Sequence, residues 1–112
     1  MGPFPIRHAL ELRHPDSLDS EVVDAARAHN VAIVMSHASR WPLFEVATAD
    51  FVYVRLHGPE TLYHSGYSPE QLDDWSSRIK RLSSERDVFV YFDNDGSGHA
   101  PTDALALIDR VQ

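Results

Sequence analysis

Alternation of apolar and polar residues predicts four strands along the chain. The clearest is FVYVRLHG at residues 51–58, in which an aliphatic stripe alternates with a polar stripe formed by Tyr53, Arg55 and His57. In residues 6–12 the same alternation carries Glu11 on one side, in line with Arg13 just beyond the segment. The short apolar run at 31–36 and the segment DVFVYFDND at 87–95 complete the set.

Helical spacing and capping residues predict three helices. Asp19 or Ser20 can cap the first helix, and Asn30 is suited to end it in the left-handed conformation. Ser68 caps the second, with Pro69 at its first position and Gln71 placed for a capping box. Its apolar face consists of Leu72, Trp75, Ile79 and Leu82.

The third predicted helix runs from about Pro101 to Val111 and directs inward the side chains of Ala104, Leu105, Leu107 and Ile108. The link over residues 41–50 is about the shortest that can join parallel strands, so we expect at most one or two helical turns in it. The resulting order, β-α-β-link-β-α-β-α, is typical of an α/β fold with a mainly parallel sheet.

All four predicted strands end in polar residues, which matters because ligands of parallel α/β folds bind at the carboxyl ends of strands. The order therefore predicts a shared cleft. We expect the ligand-binding residues there to be Arg13, His14, Arg40, Arg55, His57, Tyr63, Tyr67 and Asn94. Glu11 and Asp93 are the candidate catalytic or orienting carboxylates.

Composition narrows the kind of partner. The length of 112 residues predicts one domain. The formal charge of −7 disfavours a broad basic surface that would bind nucleic acid or an anionic membrane. There is no cysteine, which removes disulfides, thiolate metal sites and thiol nucleophiles. No apolar run reaches the length of a signal peptide or a membrane span, so we expect a cytoplasmic location and no membrane partner.

Several motifs in order resemble the DUF72 family, also called YecE-like proteins. The motifs are ELRHPDS, SRWP, FVYVRLHG, YSPEQL, VYFDND and APTDAL, and they extend over nearly the whole chain. The resemblance implies a TIM-type (β/α)₈ barrel of uncharacterised function. It corresponds only to strands 5–8, since a complete barrel has eight strands and about 250 residues. We therefore expect residues 1–112 to form a single DUF72-like half-barrel domain.

A half-barrel leaves two sheet edges and part of an apolar interior uncovered. This predicts either self-association, as a homodimer, or pairing with a missing N-terminal half. Two residues depart from the family pattern: Asp93 stands where Asn is usual, and His37 stands where an Asp is common.

The residues support several functions. Arg55 and His57 favour binding of a phosphate or carboxylate, because a guanidinium grips anions with two parallel hydrogen bonds. The alternative is an internal salt-bridge layer in which Glu11 and Asp93 neutralise the arginines, within a non-catalytic, self-associating fragment.

Two further hypotheses concern chemistry and stacking. The resemblance implies a third function, a metal-dependent phosphodiesterase of the endonuclease-IV-like kind, and it is the sole ground for a nucleic-acid partner. From the residues themselves, His14, His37, His57 and Asp93 are a candidate zinc or manganese cluster at the strand ends. We otherwise expect no cofactor. Loop aromatics can stack on a base or sugar, and the candidates are Trp41, Tyr63 and Tyr67.

Overall fold

The computed structural model describes residues 6–41 and 43–112. Within them the chain forms five short strands and three α-helices in an alternating order. The strands are β1 His8–Leu10, β2 Val31–Ile33, β3 Met35–His37, β4 Phe51–Leu56 and β5 Asp87–Phe92. The helices are α1 Ser20–Ala28, α2 Pro69–Ser83 and α3 His99–Val111, and a 3-10 turn spans Pro15–Ser17.

Every strand pairing is parallel, as the alternating order predicts. β1 pairs with β2, and β4 lies between β3 and β5. The predicted strand at 31–36 is divided at Val34, whose N–H donates to Leu10 O at 2.9 Å. β2 and β3 are thus consecutive parts of one extended segment, of which β2 pairs with β1 and β3 pairs with β4. Counting that segment once, the sheet has four strand positions, in the order β1, β2/β3, β4 and β5.

The helices cover one face of this sheet, which we call the outer face. Val52, Val54 and Leu56 of β4 are fully buried there, with Trp75 of α2 and Leu107 of α3 in the same cluster. The N-terminus of α2 is fixed by the predicted capping box, in which Ser68 and Gln71 each bond the other's backbone N–H. The core therefore lies between β4 and the helix pair.

The opposite, inner face is only partly covered. Phe51, Tyr53 and Arg55 of β4 line an open cavity of about 450 Å³ together with Phe89 and Tyr91 of β5. Neighbouring rings contact each other, since Tyr53 and Tyr91 stack with their centroids 5.1 Å apart. In a complete barrel this face would be the interior.

The predicted third helix is present, and one detail of it is wrong. α3 begins at His99, close to the predicted start near Pro101, but two of its four predicted inward residues, Leu105 and Ile108, are 66% and 47% exposed. Leu105 is left largely uncovered by the described part of the chain, and Ile108 only lines a groove that it shares with Val88 and Val90 of β5. The link after β3 contains no helix at residues 43–50, within the predicted limit of one or two turns.

No helix in the described ranges combines the length and the apolar character that a membrane crossing requires.

Candidate functional site

Four ionisable side chains, two carboxylates with an arginine and a histidine, meet at the carboxyl ends of β1, β4 and β5. Arg55 Nη1 donates to Glu11 Oε1 at 2.9 Å, and Arg55 Nη2 donates to Asp93. His57 lies between the same two carboxylates, with Nε2 at 3.0 Å from Glu11 Oε2 and Nδ1 at 3.2 Å from Asp93 Oδ2. We call Glu11, Arg55, His57 and Asp93 the charge ring.

His57 is the buried member of the charge ring. Its side chain is fully inaccessible, whereas Arg55 keeps 30% and Asp93 keeps 32% of their side-chain surface exposed. The contact from Nδ1 to Asp93 lacks the alignment of a hydrogen bond, so this buried nitrogen has no hydrogen-bond partner. His57 therefore lies between the two carboxylates, and ligand contact by its side chain stays a prediction.

A rim of one cation and two aromatic rings lies beside the charge ring. Arg13 donates to Glu11 Oε1 at 2.8 Å, and its guanidinium lies 4.4 Å from the centroid of the Trp41 ring. Trp41 and Tyr63 both make edge contacts with His57, at 5.2 and 5.5 Å between centroids. Because Arg13 and Arg55 share Glu11, two guanidinium groups converge on one carboxylate.

The loop after β4 places Tyr63 through two unusual backbone conformations. Gly58 has φ +109°, and a Cβ there would lie 2.8 Å from Thr61 O, so only glycine fits. The chain then turns back, and Tyr63 N–H donates to His57 O at 2.6 Å. Tyr63 itself has φ +64°, a left-handed conformation that costs a non-glycine residue about 1 kcal/mol.

The Glu11 carboxylate is strongly stabilised in its ionised form. Burial by itself raises the pKa of Glu11, but hydrogen bonds from His57 and Ser36 oppose this effect. The hydrogen bond from Arg13 and the charge of Arg55 lower it further, so that the pKa falls from its ordinary 4.5 to about 2. Glu11 is thus a fixed negative charge at neutral pH, which suits an orienting group better than a general acid.

The structure brings together six of the ten predicted site residues: Glu11, Arg13, Arg55, His57, Tyr63 and Asp93. Two others point elsewhere. His14 is exposed and caps the 3-10 turn by accepting from Asp16 N–H at 3.2 Å, and Arg40 is exposed on the segment that follows β3.

The remaining two, Tyr67 and Asn94, lie in the interior. Tyr67 belongs to the outer-face core, where its hydroxyl accepts from Gly58 N–H at 3.1 Å, and burial raises its pKa. Asn94 is fully buried, and its Nδ2 donates to Ser65 O and to Asp103 Oδ2. Ligand contacts by these two residues remain predictions, and their observed bonds hold the loops around the charge ring.

The predicted metal set is not assembled. His37 points to the outer face, where its ring lies 5.6 Å from that of Tyr67, whereas His57 and Asp93 belong to the charge ring on the inner side. Burial and the charge of Arg78 lower the pKa of His37. Over residues 6–41 and 43–112 the structure contains no group of three or more His, Asp or Glu suited to hold a metal ion.

Sequence reasoning missed Asp103, a buried carboxylate on α3. Its Oδ2 accepts from Tyr67 N–H at 3.1 Å and from Asn94 Nδ2 at 2.7 Å, and so ties α3 to the loops behind the site. The available signal is an aspartate at a position that faces the core in the otherwise apolar run of α3.

Comparison with known proteins finds a family and solved structures that match the chain. The family described as "Protein of unknown function DUF72" matches residues 2–112. A DUF72 family protein from Enterococcus faecalis V583 superposes with a TM-score of 0.85 at 18% identity, over 95% of this chain and 47% of its own. One from Thermotoga maritima MSB8 gives 0.80 at 26% identity, over 95% of this chain and 46% of its own. No curated protein matches the chain.

The chain therefore spans about half the length of these solved structures. Its three helices and parallel strands correspond to one half of a barrel, as the sequence predicts.

Proposed function

The chain belongs to the DUF72 family of proteins of unknown function, and from its own residues we propose that it binds a small phosphate- or carboxylate-bearing ligand at the carboxyl ends of its strands. Arg13 and Arg55 are the binding cations. Glu11, Asp93 and His57 are positioning residues that hold the Arg55 guanidinium in place.

The observation that carries this proposal is the state of Arg55. Its guanidinium is fixed on two sides by Glu11 and Asp93, yet 30% of its side chain stays exposed at the open end of the sheet. A guanidinium has five N–H donors, so two carboxylate contacts leave donors for a ligand. Since its partners already restrict its rotation, Arg55 loses less entropy when an anion binds.

Charge balance supports a ligand of low charge. The positive charges of Arg13 and Arg55 formally cancel the negative charges of Glu11 and Asp93. Within the described ranges, His57 is the only further titratable side chain in contact with these two carboxylates. The inner cavity adds support, because its charged lining residues are Arg7, Glu11 and Arg55, two cations and one anion. A multiply charged polymer has no matching basic surface on a chain with formal charge −7.

Catalysis is not part of the proposal. The depressed pKa of Glu11 removes the proton that a general acid needs, and the described residues do not fit a metal centre of the phosphodiesterase kind. Glu11 and Asp93 therefore serve best as orienting groups.

The test is calorimetric titration of inorganic phosphate and acetate into the wild-type chain and into Arg55→Ala. We expect at least about a tenfold loss of affinity, since hydrogen bonds to a charged donor contribute about 1.5–3 kcal/mol. Arg27→Ala, which removes an exposed arginine at the end of α1, is the matched control and should bind as wild type does. Equal binding by wild type and Arg55→Ala, with only lower stability, would reduce the charge ring to an internal salt bridge.

Self-association without catalysis is the second candidate function, and it is favoured by the exposed aromatic rings of β5. Phe89 and Tyr91 are 40% and 50% exposed, and β5 has no strand on its outer edge within the described residues. Such an edge pairs readily with another strand.

A further inference from the structure

We propose that a second copy of this chain covers the inner face, so that β5 of each copy pairs with β1 of the other and two half-barrels form one closed eight-stranded barrel. The occupant of the open face is thus the chain itself. The consequence for the ligand site rests on the proposed function, whereas the docking of the two copies does not.

The exposed large apolar side chains lie along the two borders of the half-barrel. Within the described residues they are Ile6, Leu10, Phe89, Tyr91, Leu105 and Ile108. The first two belong to the β1 border, and the other four belong to β5 and to α3 beside it. An apolar groove lined by Leu10, Val22 and Val31 continues the β1 border onto the helical side. A surface that is apolar only at its two free borders is typical of an interface cut through a core.

The topology makes the two borders compatible. All strands run in the same direction, so a twofold axis parallel to them keeps every strand parallel. The same rotation brings the β5 border of each copy next to the β1 border of the other, at two equivalent contacts. The chain superposes on 47% of the solved DUF72 chain from Enterococcus faecalis, so two copies supply about the number of residues in that chain.

Charge also distinguishes the borders. The β1 segment carries Arg7 and Arg13 against one carboxylate, while residues 87–95 carry Asp87, Asp93 and Asp95 without a cation. Arg7 and Asp87 already approach each other within the chain at 3.5 Å, yet their side chains remain 42% and 72% exposed. A basic border against an acidic border favours the β5-to-β1 contact and disfavours contacts between like borders.

Closure would unite the two ligand sites. Because the twofold axis follows the strands, both charge rings come to the same end of the barrel. Arg13 and Arg55 from each copy would then surround one opening, so the site proposed above would be completed by the partner's residues.

The first experiment measures mass by light scattering across a dilution series of the whole chain. We expect about twice the 12.6 kDa of one chain. Tyr91→Arg should raise the dimer dissociation constant at least about 30-fold, as loss of a central interface residue does. Leu105→Glu is a second variant that changes no buried side chain, and Ser77→Arg on the exposed side of α2 is the matched control. A single-chain mass at every concentration overturns the proposal.

The second experiment tests which borders meet. Because the chain has no cysteine, His8→Cys and Asp87→Cys each introduce one thiol, at the first residue of β1 and of β5. A short bismaleimide should link the two variants when they are mixed. It should link each variant to itself at least about tenfold less, because the two β1 borders, and likewise the two β5 borders, lie on opposite sides of the barrel. Preferential linking within each variant alone overturns the arrangement.

Phosphate titration separates this inference from the proposed function. A dimer that binds no phosphate leaves the docking intact and removes the ligand site. Phosphate binding by monomeric Leu105→Glu, whose substitution lies outside the inner cavity, at wild-type affinity overturns the shared site and leaves the proposed function standing.

Discussion

The two faces of β4 differ in how far the chain completes them. On the outer face, Val54 and Leu56 are fully buried beneath α2 and α3. On the inner face, one residue away in each case, Tyr53 and Arg55 face an open cavity. Alternation along one strand therefore separates a finished core from an unfinished surface.

Stability and binding therefore reside on different faces of the sheet. The outer face is apolar and closed, so its contribution to folding comes from burial. The inner face holds the charge ring, whose members pair with one another, and exposed aromatic rings, which are typical of a surface that another molecule meets. Variants on either face remove this contrast or measure it.

The largest loss of stability is expected when a buried side chain of the outer face is truncated. Leu56→Ala should lower the free energy of unfolding by about 4 kcal/mol, because the side chain is fully buried and leaves a cavity. Leu105→Ala makes the same chemical change where the side chain is 66% exposed, and should cost less than about 1 kcal/mol in separated chains. Urea unfolding at low protein concentration measures both, and equal losses would contradict the contrast.

The second largest effect is a loss of folding stability in acid, which arises at the inner face. The pKa of Glu11 in the folded chain is about 2 against an ordinary 4.5, so its contribution is complete above pH 4.5 and is lost as the pH falls towards 2. The loss is on the order of 2 to 3 kcal/mol. Unfolding curves at successive pH values should show this dependence in wild type and a flatter one in Glu11→Gln. The same slope in both proteins would exclude Glu11 as its source.

The smallest loss of stability is expected at the start of α2, the helix that covers the outer face. Ser68→Ala removes the side-chain half of the capping box at the start of α2 and should cost about 1 kcal/mol. Thermal unfolding of Ser68→Ala beside Ser77→Ala, a serine in the exposed part of the same helix, gives the comparison. Loss of phosphate binding in Ser68→Ala would mean that the two faces are coupled.

Sequence alone predicted the features that depend on neighbouring residues. The stripes of β4, the capping box of α2 and the left-handed Asn30 at φ +53° follow from local rules and are present. Strand order placed Glu11 and Arg55, 44 residues apart, in one cleft but left open whether the two side chains meet, as they do in the structure.

The rest depended on which surfaces the remaining chain covers. Leu105 is apolar, and its periodicity matches a core position, but burial requires an element on that side of α3. Tyr67 and Asn94 are polar loop residues in sequence, yet both lie in the interior, where Asp103 accepts from the Tyr67 backbone N–H and from Asn94 Nδ2. Alternation does not show whether a polar side chain meets solvent or another buried polar group.

The most direct test of the binding site uses the two tryptophans of the chain. The Trp41 indole N–H donates to Ser36 Oγ at 2.8 Å beside the charge ring, whereas Trp75 lies in the outer-face core. In a ¹H–¹⁵N spectrum recorded during phosphate titration, we expect the Trp41 indole signal to move with saturation while that of Trp75 stays in place. Arg55→Ala should abolish the movement. A Trp41 signal that remains fixed at high phosphate in the wild-type chain would contradict an anion site at the charge ring.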